Sequence, residues 1–413
     1  MKAIIISIGN EITSGHTVNT NAAWMARELE PYGITPDKVV AIRDDLKSLI
    51  SEIGSAVKKY ELALVTGGLG PTHDDITKPA LVKVFKTKLV RDKKILAMVK
   101  RYFRERTTKP MPPINLAQAD IPMGCEALAN RWGTAPGLCF ETKRGLLFAL
   151  PGVPYEMKNL MAKEVLPRIK KRFKKDSAIA RKIVHTAGIG ESTLYTMIEA
   201  GGGVEEGIEL AYLPHMGNVD LRFTAKGETQ ARARQRLNRA VKKLIMVARP
   251  YCYGVDEETL EKVVGDILAR KGLTLASAES CTGGRFASRI TSVSGSSRYF
   301  LEGVVTYNNN AKMKRLNVRE DSLIQSGAVS ARVAREMARG VWKSAGADIG
   351  ISSTGIAGPS GGTKEKPVGL VFIGLCIDGD ARTKELRLTE DRERNQMLTT
   401  QAMLTWLWKE ITT

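Results

Sequence analysis

Short apolar runs followed by glycine, proline or aspartate recur along the chain with helical stretches between them, and this alternation constrains the fold most strongly. Four such runs predict buried strands in the first 170 residues: Ala3–Ile8, Lys38–Ile42, Leu62–Thr66 and Leu146–Leu150. Three stretches between them have helical periodicity: Thr20–Glu30, Asp45–Lys59 and Asp75–Phe85. This order predicts an α/β fold in which helices cover both faces of a parallel sheet. Such sheets bind ligands beyond the carboxyl ends of their strands.

The length and composition are those of a globular protein. A chain of 413 residues has room for two or three domains. Its five scattered cysteines, without a CxxC pair, exclude a disulfide scaffold and a thiolate zinc finger, and no apolar run approaches the roughly 18 residues of a membrane span. We therefore expect a cytoplasmic protein with no membrane partner. The net charge of +19, concentrated in the first 250 residues, fits nucleic acid, an anionic small molecule or solubility alone.

The predicted elements fall into three domains, at residues 1–172, 178–253 and 256–413. The middle domain is expected to be a compact α+β module with strands and helices at Lys182–Thr186, Glu191–Glu199, Ile208–Leu213, Val219–Ala225 and Glu228–Val247. The third domain alternates strands and helices and is predicted to be α/β. Asp256 is expected to cap its first helix, Glu257–Lys271.

A glycine-rich turn follows the third predicted strand and leads into a helix. It runs Thr66-Gly67-Gly68-Leu69-Gly70-Pro71-Thr72-His73-Asp74-Asp75. Glycines let the backbone approach a ligand closely, and the amides at the start of a helix favour anions. Asp74 and Asp75 suit the helix dipole and could also hold a divalent cation. Capping alone explains one of these carboxylates, so the pair also favours a metal or phosphate role.

Other turns of the N-terminal domain are expected at the same sheet edge. Gly9-Asn10-Glu11 ends the first strand, and Pro151-Gly152 directly follows the fourth. The segment Gly133-Thr134-Ala135-Pro136-Gly137 lies between the third and fourth strands. Convergence of several such turns on one edge is a stronger signal of a binding site than any single turn.

The third domain has its own strand-to-helix turn, Ala276-Ser277-Ala278-Glu279-Ser280-Cys281-Thr282-Gly283-Gly284-Arg285. A serine at such a turn presents its hydroxyl at the sheet edge, where backbone N–H groups can hold an oxyanion. An unaided serine is a poor nucleophile and needs a base nearby. All four histidines precede this domain, which excludes a Ser-His-Asp triad built within it: His16, His73, His185 and His215.

The remaining bases are lysine, tyrosine or a carboxylate. Tyr307 and Lys312 follow the next predicted strand and are expected at the same edge as Ser280. A lysine becomes a useful base where desolvation or a neighbouring cation lowers its pKa. In the alternative interpretation, Ser280 caps a helix, Tyr307 is a half-buried aromatic of the sheet and Lys312 is a surface charge. Cys281 is a rival nucleophile, although adjacent residues at a turn point differently and small buried cysteines are common.

A third loop, from Thr354 to Thr363, follows a predicted strand that ends near Ser353. Its sequence is Thr354-Gly355-Ile356-Ala357-Gly358-Pro359-Ser360-Gly361-Gly362-Thr363. Glycines and hydroxyls in this arrangement suit a ribose or a phosphate. A flexible hairpin tip is the alternative, but it would not require a Thr-Gly pair at the end of a strand.

These segments resemble the CinA family of competence/damage-inducible proteins from residue 1 to about residue 410. Ala187-Gly188-Ile189-Gly190-Glu191-Ser192 and Ala211-Tyr212-Leu213-Pro214 carry the resemblance through the middle module. The resemblance implies a three-layer α/β molybdopterin-binding-like domain, a KH-like α+β module and a C-terminal α/β nicotinamide-nucleotide amidase domain. One departure from the family pattern is Asn19, where members usually carry aspartate.

For the third domain, the resemblance implies hydrolysis of the carboxamide of nicotinamide mononucleotide to nicotinate mononucleotide and ammonia. Ser280 would be the nucleophile, and Tyr307 and Lys312 the proton-transfer pair, with no cofactor. For the first domain it implies an ADP-ribose pyrophosphatase dependent on a divalent metal of unknown identity, held by Asp74, Asp75 and Glu11. It implies substrate-binding roles for a larger set: Glu279, Thr282, Gly283, Gly284, Thr354, Gly355, Gly358, Gly67, Gly68, Gly70, Thr72 and Thr134.

The resemblance also implies a homodimer, and its small-molecule partners are nicotinamide mononucleotide and ADP-ribose. A first domain that has lost catalysis and only forms the dimer is an alternative. A nucleic-acid-binding accessory protein is another, based on the basic charge and the KH-like module. The absence of a GxxG loop in residues 178–253 argues against nucleic acid as a partner. A binder of a molybdopterin-type ligand is the third alternative, but it would have no use for the third domain.

Overall fold

The computed structural model describes residues 1–106, 108–173 and 178–412. The chain forms two compact units, Met1–Ala180 with Lys226–Ala233, and Arg181–Ala225 with Arg234–Thr413. The first unit contains the N-terminal domain, and the second contains the C-terminal domain and most of the middle module. Among the described residues, no helix combines the length and the apolar character needed to cross a membrane.

The N-terminal domain contains eight strands and seven α-helices among its described residues. The strands are β1 (Ala3–Ile8), β2 (Lys38–Ile42), β3 (Leu62–Thr66), β4 (Leu89–Arg91), β5 (Asp120–Pro122), β6 (Glu126–Leu128), β7 (Gly137–Glu141) and β8 (Leu146–Leu150). The helices are α1 (Asn10–Thr13), α2 (Thr20–Leu29), α3 (Leu46–Lys59), α4 (Thr77–Val84), α5 (Lys93–Arg106), α6 (Pro154–Leu160) and α7 (Leu166–Arg172). The four predicted strands are confirmed with the predicted bounds. Each is a short, largely apolar run; Gly9, Gly67 and Pro151 directly follow three of them, and Arg43-Asp44 follows the other.

A six-stranded sheet in the order β2-β1-β3-β8-β7-β6 forms the centre of this domain. The strands from β2 to β8 pair in parallel, and β7 and β6 join antiparallel. Successive residues of β1 face opposite sides of the sheet. Ile5 packs with Met25 and Leu29 of α2, whereas Ile4 and Ile6 pack with the helices on the other face. The result is a three-layer α/β arrangement.

The middle module is an antiparallel sheet with two helices. Its strands are β9 (Ala178–Ala187), β10 (Ile208–His215), β11 (Asn218–Gly227) and β12 (Cys252–Val255), in the sheet order β10-β11-β9-β12. Its helices are α8 (Glu191–Ala200) and α9 (Gln230–Val247). The sequence did not predict β12, which is only four residues long and half-buried.

A buried histidine joins this sheet to the segment that follows it. The Nδ1 and Nε2 atoms of His185 each lie 2.7 Å from an acceptor, the Asp220 carboxylate and the Asp256 carbonyl oxygen. Burial lowers the His185 pKa, but the two hydrogen bonds outweigh it, so the pKa lies above its usual value of 6.5. Both ring nitrogens face acceptors, which is the arrangement that suits the imidazolium.

The prediction that Asp256 caps a helix is wrong. Asp256 has a left-handed backbone with φ of 54°, and its carboxylate accepts a hydrogen bond from the Ile183 N–H instead. The helix begins at Leu260, and the Thr259 hydroxyl caps it by accepting from the Lys262 N–H. The contact with β9 therefore takes the aspartate away from the helix start.

The C-terminal domain is built on a mixed five-stranded sheet. Its strands are β13 (Leu275–Glu279), β14 (Phe300–Val305), β15 (Ile349–Gly355), β16 (Leu370–Ile377) and β17 (Asp380–Arg387), in the order β14-β13-β15-β16-β17. Its helices are α10 (Leu260–Lys271), α11 (Arg285–Thr291), α12 (Asn309–Leu316), α13 (Glu320–Ser326), α14 (Ala331–Ala345) and α15 (Arg392–Thr412). Since β14, β13 and β15 are parallel, their carboxyl ends meet at one edge of the sheet.

Candidate active site

The turn after β13 carries Ser280 and is held by the last residue of the strand. Glu279 is buried, and its carboxylate accepts hydrogen bonds from the N–H groups of Gly284, Phe286 and Ala287 at 2.9–3.0 Å. Gly284 has φ of 95° and the preceding Gly283 has φ of 63°, which glycine adopts without strain. Glu279 therefore fixes the turn and the start of α11, and its oxygens are engaged by the protein's own backbone.

Ser280 and Lys312 lie side by side in the domain interior. The Lys312 Nζ atom lies 3.0 Å from Ser280 Oγ, and it donates to the carbonyl oxygens of Thr306 at 2.8 Å and Tyr307 at 3.4 Å. Lys312 is 1% exposed and Ser280 is 8% exposed. The structure therefore brings together two of the predicted catalytic residues at the shared edge of β13 and β14.

The surroundings of Lys312 favour its neutral form. Burial lowers the pKa of the Lys312 amine below its usual 10.5. No ion pair joins a carboxylate to this lysine within the described ranges. A neutral amine has two N–H bonds and one lone pair. When the amine is neutral, the two carbonyl oxygens take its N–H bonds and the lone pair faces the Ser280 hydroxyl. When it is protonated, the third N–H donates to Ser280 Oγ.

The residues after Ser280 are packed into the domain. Cys281 is 5% exposed, and burial raises the pKa of its thiol to about 12. A buried thiol of this kind is inert at neutral pH. The Thr282 hydroxyl lies 2.7 Å from the Ser353 hydroxyl inside the protein. Neither side chain is available to a ligand, so any contact of Thr282 with substrate must come from its backbone.

The backbone N–H groups of the turn fall into two kinds, those with an acceptor in the protein and those with none among the described residues. The Ser280 N–H donates to the Ser353 carbonyl oxygen, and the Gly283 N–H donates to the Ser280 carbonyl oxygen. Within the part of the chain that the structure describes, the N–H groups of Cys281 and Thr282 have no hydrogen-bond acceptor. Backbone amides beside a nucleophile are the usual donors to an oxyanion.

Tyr307 occupies a different position from Lys312. Its side chain is 60% exposed, and its hydroxyl accepts a hydrogen bond of 2.8 Å from Arg392. No hydrogen bond connects this hydroxyl with Ser280 or Lys312 among the described residues. Arg392 also donates to the Gly358 carbonyl oxygen at 2.9 Å, so it ties Tyr307 to the third loop.

The third loop begins at the same sheet edge. Thr354 is buried, and its hydroxyl donates to the Ala328 carbonyl oxygen at 2.8 Å. Gly355 packs against Val371, where a Cβ atom would lie only 2.6 Å from a side-chain carbon. Asn395 of α15 supports the loop by donating to the Ala357 carbonyl oxygen. The loop is thus held by α15 beside the Ser280 turn.

The glycine-rich turn of the N-terminal domain closes on Asp75. The Asp75 carboxylate accepts from the Gly70 N–H at 2.7 Å, the Thr72 N–H at 2.8 Å and the Thr72 hydroxyl at 2.6 Å. Asp74 is exposed and pairs with His73 at 2.9 Å. One carboxylate therefore shapes the turn, and the other lies at its surface.

Of the other predicted residues of this domain, Gly67 and Gly68 lie at the same strand ends. The Gly67 N–H donates to the Leu150 carbonyl oxygen, and the Thr77 N–H donates to the Gly68 carbonyl oxygen, which ties the turn to β8 and α4. Thr134 is half-buried in its own loop. Glu11 lies in α1 with its carboxylate over Gly9.

The predicted metal ligands do not fit a metal ion as they are arranged. No group of three or more His, Cys, Asp or Glu side chains among the described residues is placed to hold one. Asp75 uses both of its carboxylate oxygens on the turn itself. A divalent cation needs several oxygens directed at one point, and this set does not supply them.

The sequence did not single out several residues of these sites. In the N-terminal domain, Lys78 is buried with its pKa lowered to about 8, and it donates to the carbonyl oxygens of Ala117 and Gln118. In the C-terminal domain, Arg392, Asn395 and Gln396 reach the Ser280 site from α15. These three lie over a hundred positions from Ser280 in the sequence, so no local sequence pattern predicts that they belong to its site.

A cavity of about 560 Å³ lies elsewhere in the second unit. Its walls include His185 and Asp220 of the middle module and Glu261 and Arg289 of the C-terminal domain. Ser280 and Lys312 do not line it. Arg289 pairs with Glu261, and His185 with Asp220, so these charges are already matched.

Models of known domain families match the chain along most of its length. A probable molybdopterin binding domain matches residues 4–171, a damage-inducible protein CinA KH domain matches residues 181–254, and a CinA C-terminal domain matches residues 257–411. The predicted α/β, α+β and α/β order is confirmed by the same three matches and by the elements described above.

Two curated relatives are similar over almost the whole chain. A putative competence-damage inducible protein of Halothermothrix orenii is 41% identical over 412 residues, which cover 99% of this chain and 98% of that protein. A CinA-like protein of Kosmotoga olearia is 41% identical over 394 residues, 95% of each chain. A solved structure of the protein CinA of Thermoplasma acidophilum is 35% identical, with a TM-score of 0.38, and covers 41% of this chain and 98% of its own. By its full-length relatives and its three domain matches, this chain belongs to the CinA family.

Proposed function

We propose that the C-terminal domain is an amidohydrolase that converts nicotinamide mononucleotide to nicotinate mononucleotide and ammonia. The observation that carries this proposal is the 3.0 Å separation of Lys312 Nζ from Ser280 Oγ in a buried site. A neutral lysine that shares a proton with a serine is an established alternative to the Ser-His pair. The identity of the substrate comes from the CinA family resemblance.

In the first half of the reaction, Lys312 removes the proton of the Ser280 hydroxyl as Oγ attacks the carboxamide carbon. The tetrahedral oxyanion accepts hydrogen bonds from the free N–H groups of Cys281 and Thr282. Lys312 then returns its proton to the departing amide nitrogen. The C–N bond breaks, ammonia leaves, and an ester joins the nicotinate carbon to Ser280.

In the second half, Lys312 acts again as the base. It takes a proton from a water molecule that attacks the ester carbon, and the same two N–H groups bind the second oxyanion. The ester bond breaks, the proton passes to Ser280 Oγ, and nicotinate mononucleotide leaves. The proton balance closes because Lys312 is neutral at the start and at the end. Tyr307 as a member of the proton-transfer pair stays a prediction, which Tyr307→Phe would test.

The test is ammonia release from nicotinamide mononucleotide by the full chain. Ser280→Ala should lower kcat by about 10³-fold or more while the protein remains folded, because it removes the nucleophile. Cys281→Ala is the matched control and should keep activity within about threefold, since the buried thiol is not used. A Cys281→Ala protein without activity beside an active Ser280→Ala protein would reverse the assignment. A wild-type protein that releases no ammonia would refute the function itself.

For the N-terminal domain we propose binding of a phosphate-containing ligand such as ADP-ribose at the glycine-rich turn. The position of this turn at the carboxyl end of β3 in a parallel sheet supports the proposal. The pyrophosphatase activity, its divalent metal and the homodimer stay predictions. Assays of AMP release from ADP-ribose with and without Mg²⁺, and sedimentation of the full chain, test them.

A further inference from the structure

The carbonyl group next to the nucleophile is held by a side chain of the last helix. Gln396, in the second turn of α15, donates from Nε2 to the Cys281 carbonyl oxygen at 2.9 Å. Its Oε1 atom accepts from Arg285 Nε at 3.1 Å. An arginine can only donate, so this contact assigns the oxygen of the Gln396 amide to Arg285. The nitrogen must then face Cys281.

This contact sets the direction of one peptide plane. In a trans peptide the C=O and the following N–H point in opposite directions. The Cys281 carbonyl points to Gln396, so the Thr282 N–H points away from α15. That N–H is one of the two free donors in the Ser280 turn.

We propose that Gln396 is a positioning residue that aims the Thr282 N–H at the oxyanion of the amidase reaction. The inference rests on the proposed function and adds to it a residue that touches no reacting atom. It acts through the Cys281–Thr282 peptide and leaves the Ser280–Lys312 contact unchanged.

The rest of the turn has other supports, which leaves this peptide to Gln396. The Glu279 carboxylate holds the amides from Gly284 onwards, and the Gly283 N–H holds the Ser280 carbonyl oxygen. In the described part of the chain, Gln396 is the hydrogen-bond donor to the Cys281 carbonyl oxygen. Without it the plane can rotate, and the Thr282 N–H can lose its direction while the serine stays in place.

The experiment compares Gln396→Met with Gln401→Met in the full chain, with nicotinamide mononucleotide as substrate. Both substitutions replace a glutamine of α15 by a side chain of similar length that cannot donate. Gln401 forms hydrogen bonds with Asn218 and Arg289, and among the described residues none of its hydrogen bonds goes to the Ser280 turn. Gln396→Met should lower kcat about 10- to 100-fold, part of the cost of losing an oxyanion donor, and leave KM within about twofold. Gln401→Met should leave both near wild type.

The pH profile separates positioning from a general loss of structure. The acidic limb of kcat should not move in Gln396→Met, because Lys312 still titrates as before. Gln396→Glu keeps an acceptor for Arg285 but places a carboxylate oxygen, which cannot donate, against the Cys281 carbonyl oxygen. We therefore expect it to lower kcat at least as much as Gln396→Met does. If Gln396→Met folds poorly, kcat of the isosteric Gln396→Glu variant is the measurement that tests the inference. A kcat within twofold of wild type, a change in KM alone, or a shifted limb overturns the inference while the function stands. Absence of ammonia release by the wild type overturns both.

Discussion

Lys312→Met removes the amine that we assign as both base and acid, and it keeps the length of the side chain. Methionine fills the same buried volume and leaves Ser280 without a proton acceptor. In wild type, Lys312 Nζ has three hydrogen-bond neighbours, Ser280 Oγ at 3.0 Å and two backbone carbonyl oxygens at 2.8 and 3.4 Å. The variant therefore isolates the proton transfer from the rest of the site.

The magnitude follows from the two steps that lose their proton carrier. Loss of one general base costs about 10²- to 10⁴-fold in rate. In the proposed mechanism Lys312 also protonates the leaving nitrogen, so we expect a fall in kcat of about 10³- to 10⁵-fold, or roughly 4–7 kcal/mol at about 1.4 kcal/mol per factor of ten. KM should change little, because the amine makes its contacts with the protein.

The assay is the rate of ammonia release from nicotinamide mononucleotide as a function of pH. In the proposed mechanism, activity requires the neutral amine. It should therefore rise with pH and level off near the pKa of Lys312, below the 10.5 of a solvated lysine. The matched control is Lys384→Met. Burial lowers the pKa of Lys384 too, but it lies on β17, at the opposite edge of the sheet from β14, with its ammonium 4.5 Å from the centre of the Trp406 ring.

Two results would refute this reasoning. The first is a Lys312→Met protein that keeps more than about a tenth of wild-type kcat, because removal of the general base should lower the rate far more than that. The second is a rise of activity with pH whose midpoint lies at or above the pKa of an ordinary lysine, because burial would then not have lowered the pKa of the catalytic base. Equal losses in Lys312→Met and Lys384→Met would point to stability as the common cause.

Three further predictions concern stability. His185→Gln should lower the thermal midpoint more at about pH 5.5 than at about pH 9. Because the pKa of His185 is raised in the folded protein, the stabilisation that His185 provides is complete below about pH 6.5 and is lost as the pH rises through the pKa of the folded state. An equal loss at both pH values would contradict a charged His185. Asn395→Ala should cost about 2–4 kcal/mol in urea unfolding, because the buried Asn395 side chain makes four hydrogen bonds, to Thr389 and Ala357, and a loss below about 1 kcal/mol would count against this. Asp75→Ala should cost about 1–2 kcal/mol by opening the glycine-rich turn, whereas the exposed Asp74→Ala should cost under about 0.5 kcal/mol. Equal effects of these two substitutions in calorimetry would argue against the closing role of Asp75.

The sequence predicted the central strands because their signal is local. β1, β3 and β8 are fully buried, so they are continuous apolar runs with a turn residue at the end. β17, Asp380–Arg387, escaped prediction because it is an edge strand in which most residues are polar and exposed. An edge strand has one hydrogen-bonded neighbour and a solvent-exposed face, so it can form with few apolar residues. Prediction of strands from a sequence depends on the pattern of apolar residues and therefore misses such a strand.

The site was predictable to the extent that it depends on strand ends. Ser280 follows β13, and Lys312 lies in the first turn of the helix after β14, and these parallel neighbours bring their following loops together. Gln396 was not predictable in the same way. Its contact with Cys281 depends on how α15 packs beside α11, which is a property of the tertiary structure alone.

In the proposed reaction Lys312 takes the place that a histidine has in many hydrolases, and the burial of this lysine has two opposite effects. It lowers the pKa of Lys312, which favours the neutral amine that the proposed mechanism uses as its base. It also makes the protonated amine costly, because the two carbonyl oxygens at 2.8 and 3.4 Å are dipoles and not charges. The proton is therefore held well only while the oxyanion beside Ser280 supplies a negative charge. In the proposed mechanism the site stabilises that charge pair more than the neutral reactants, and this difference lowers the barrier.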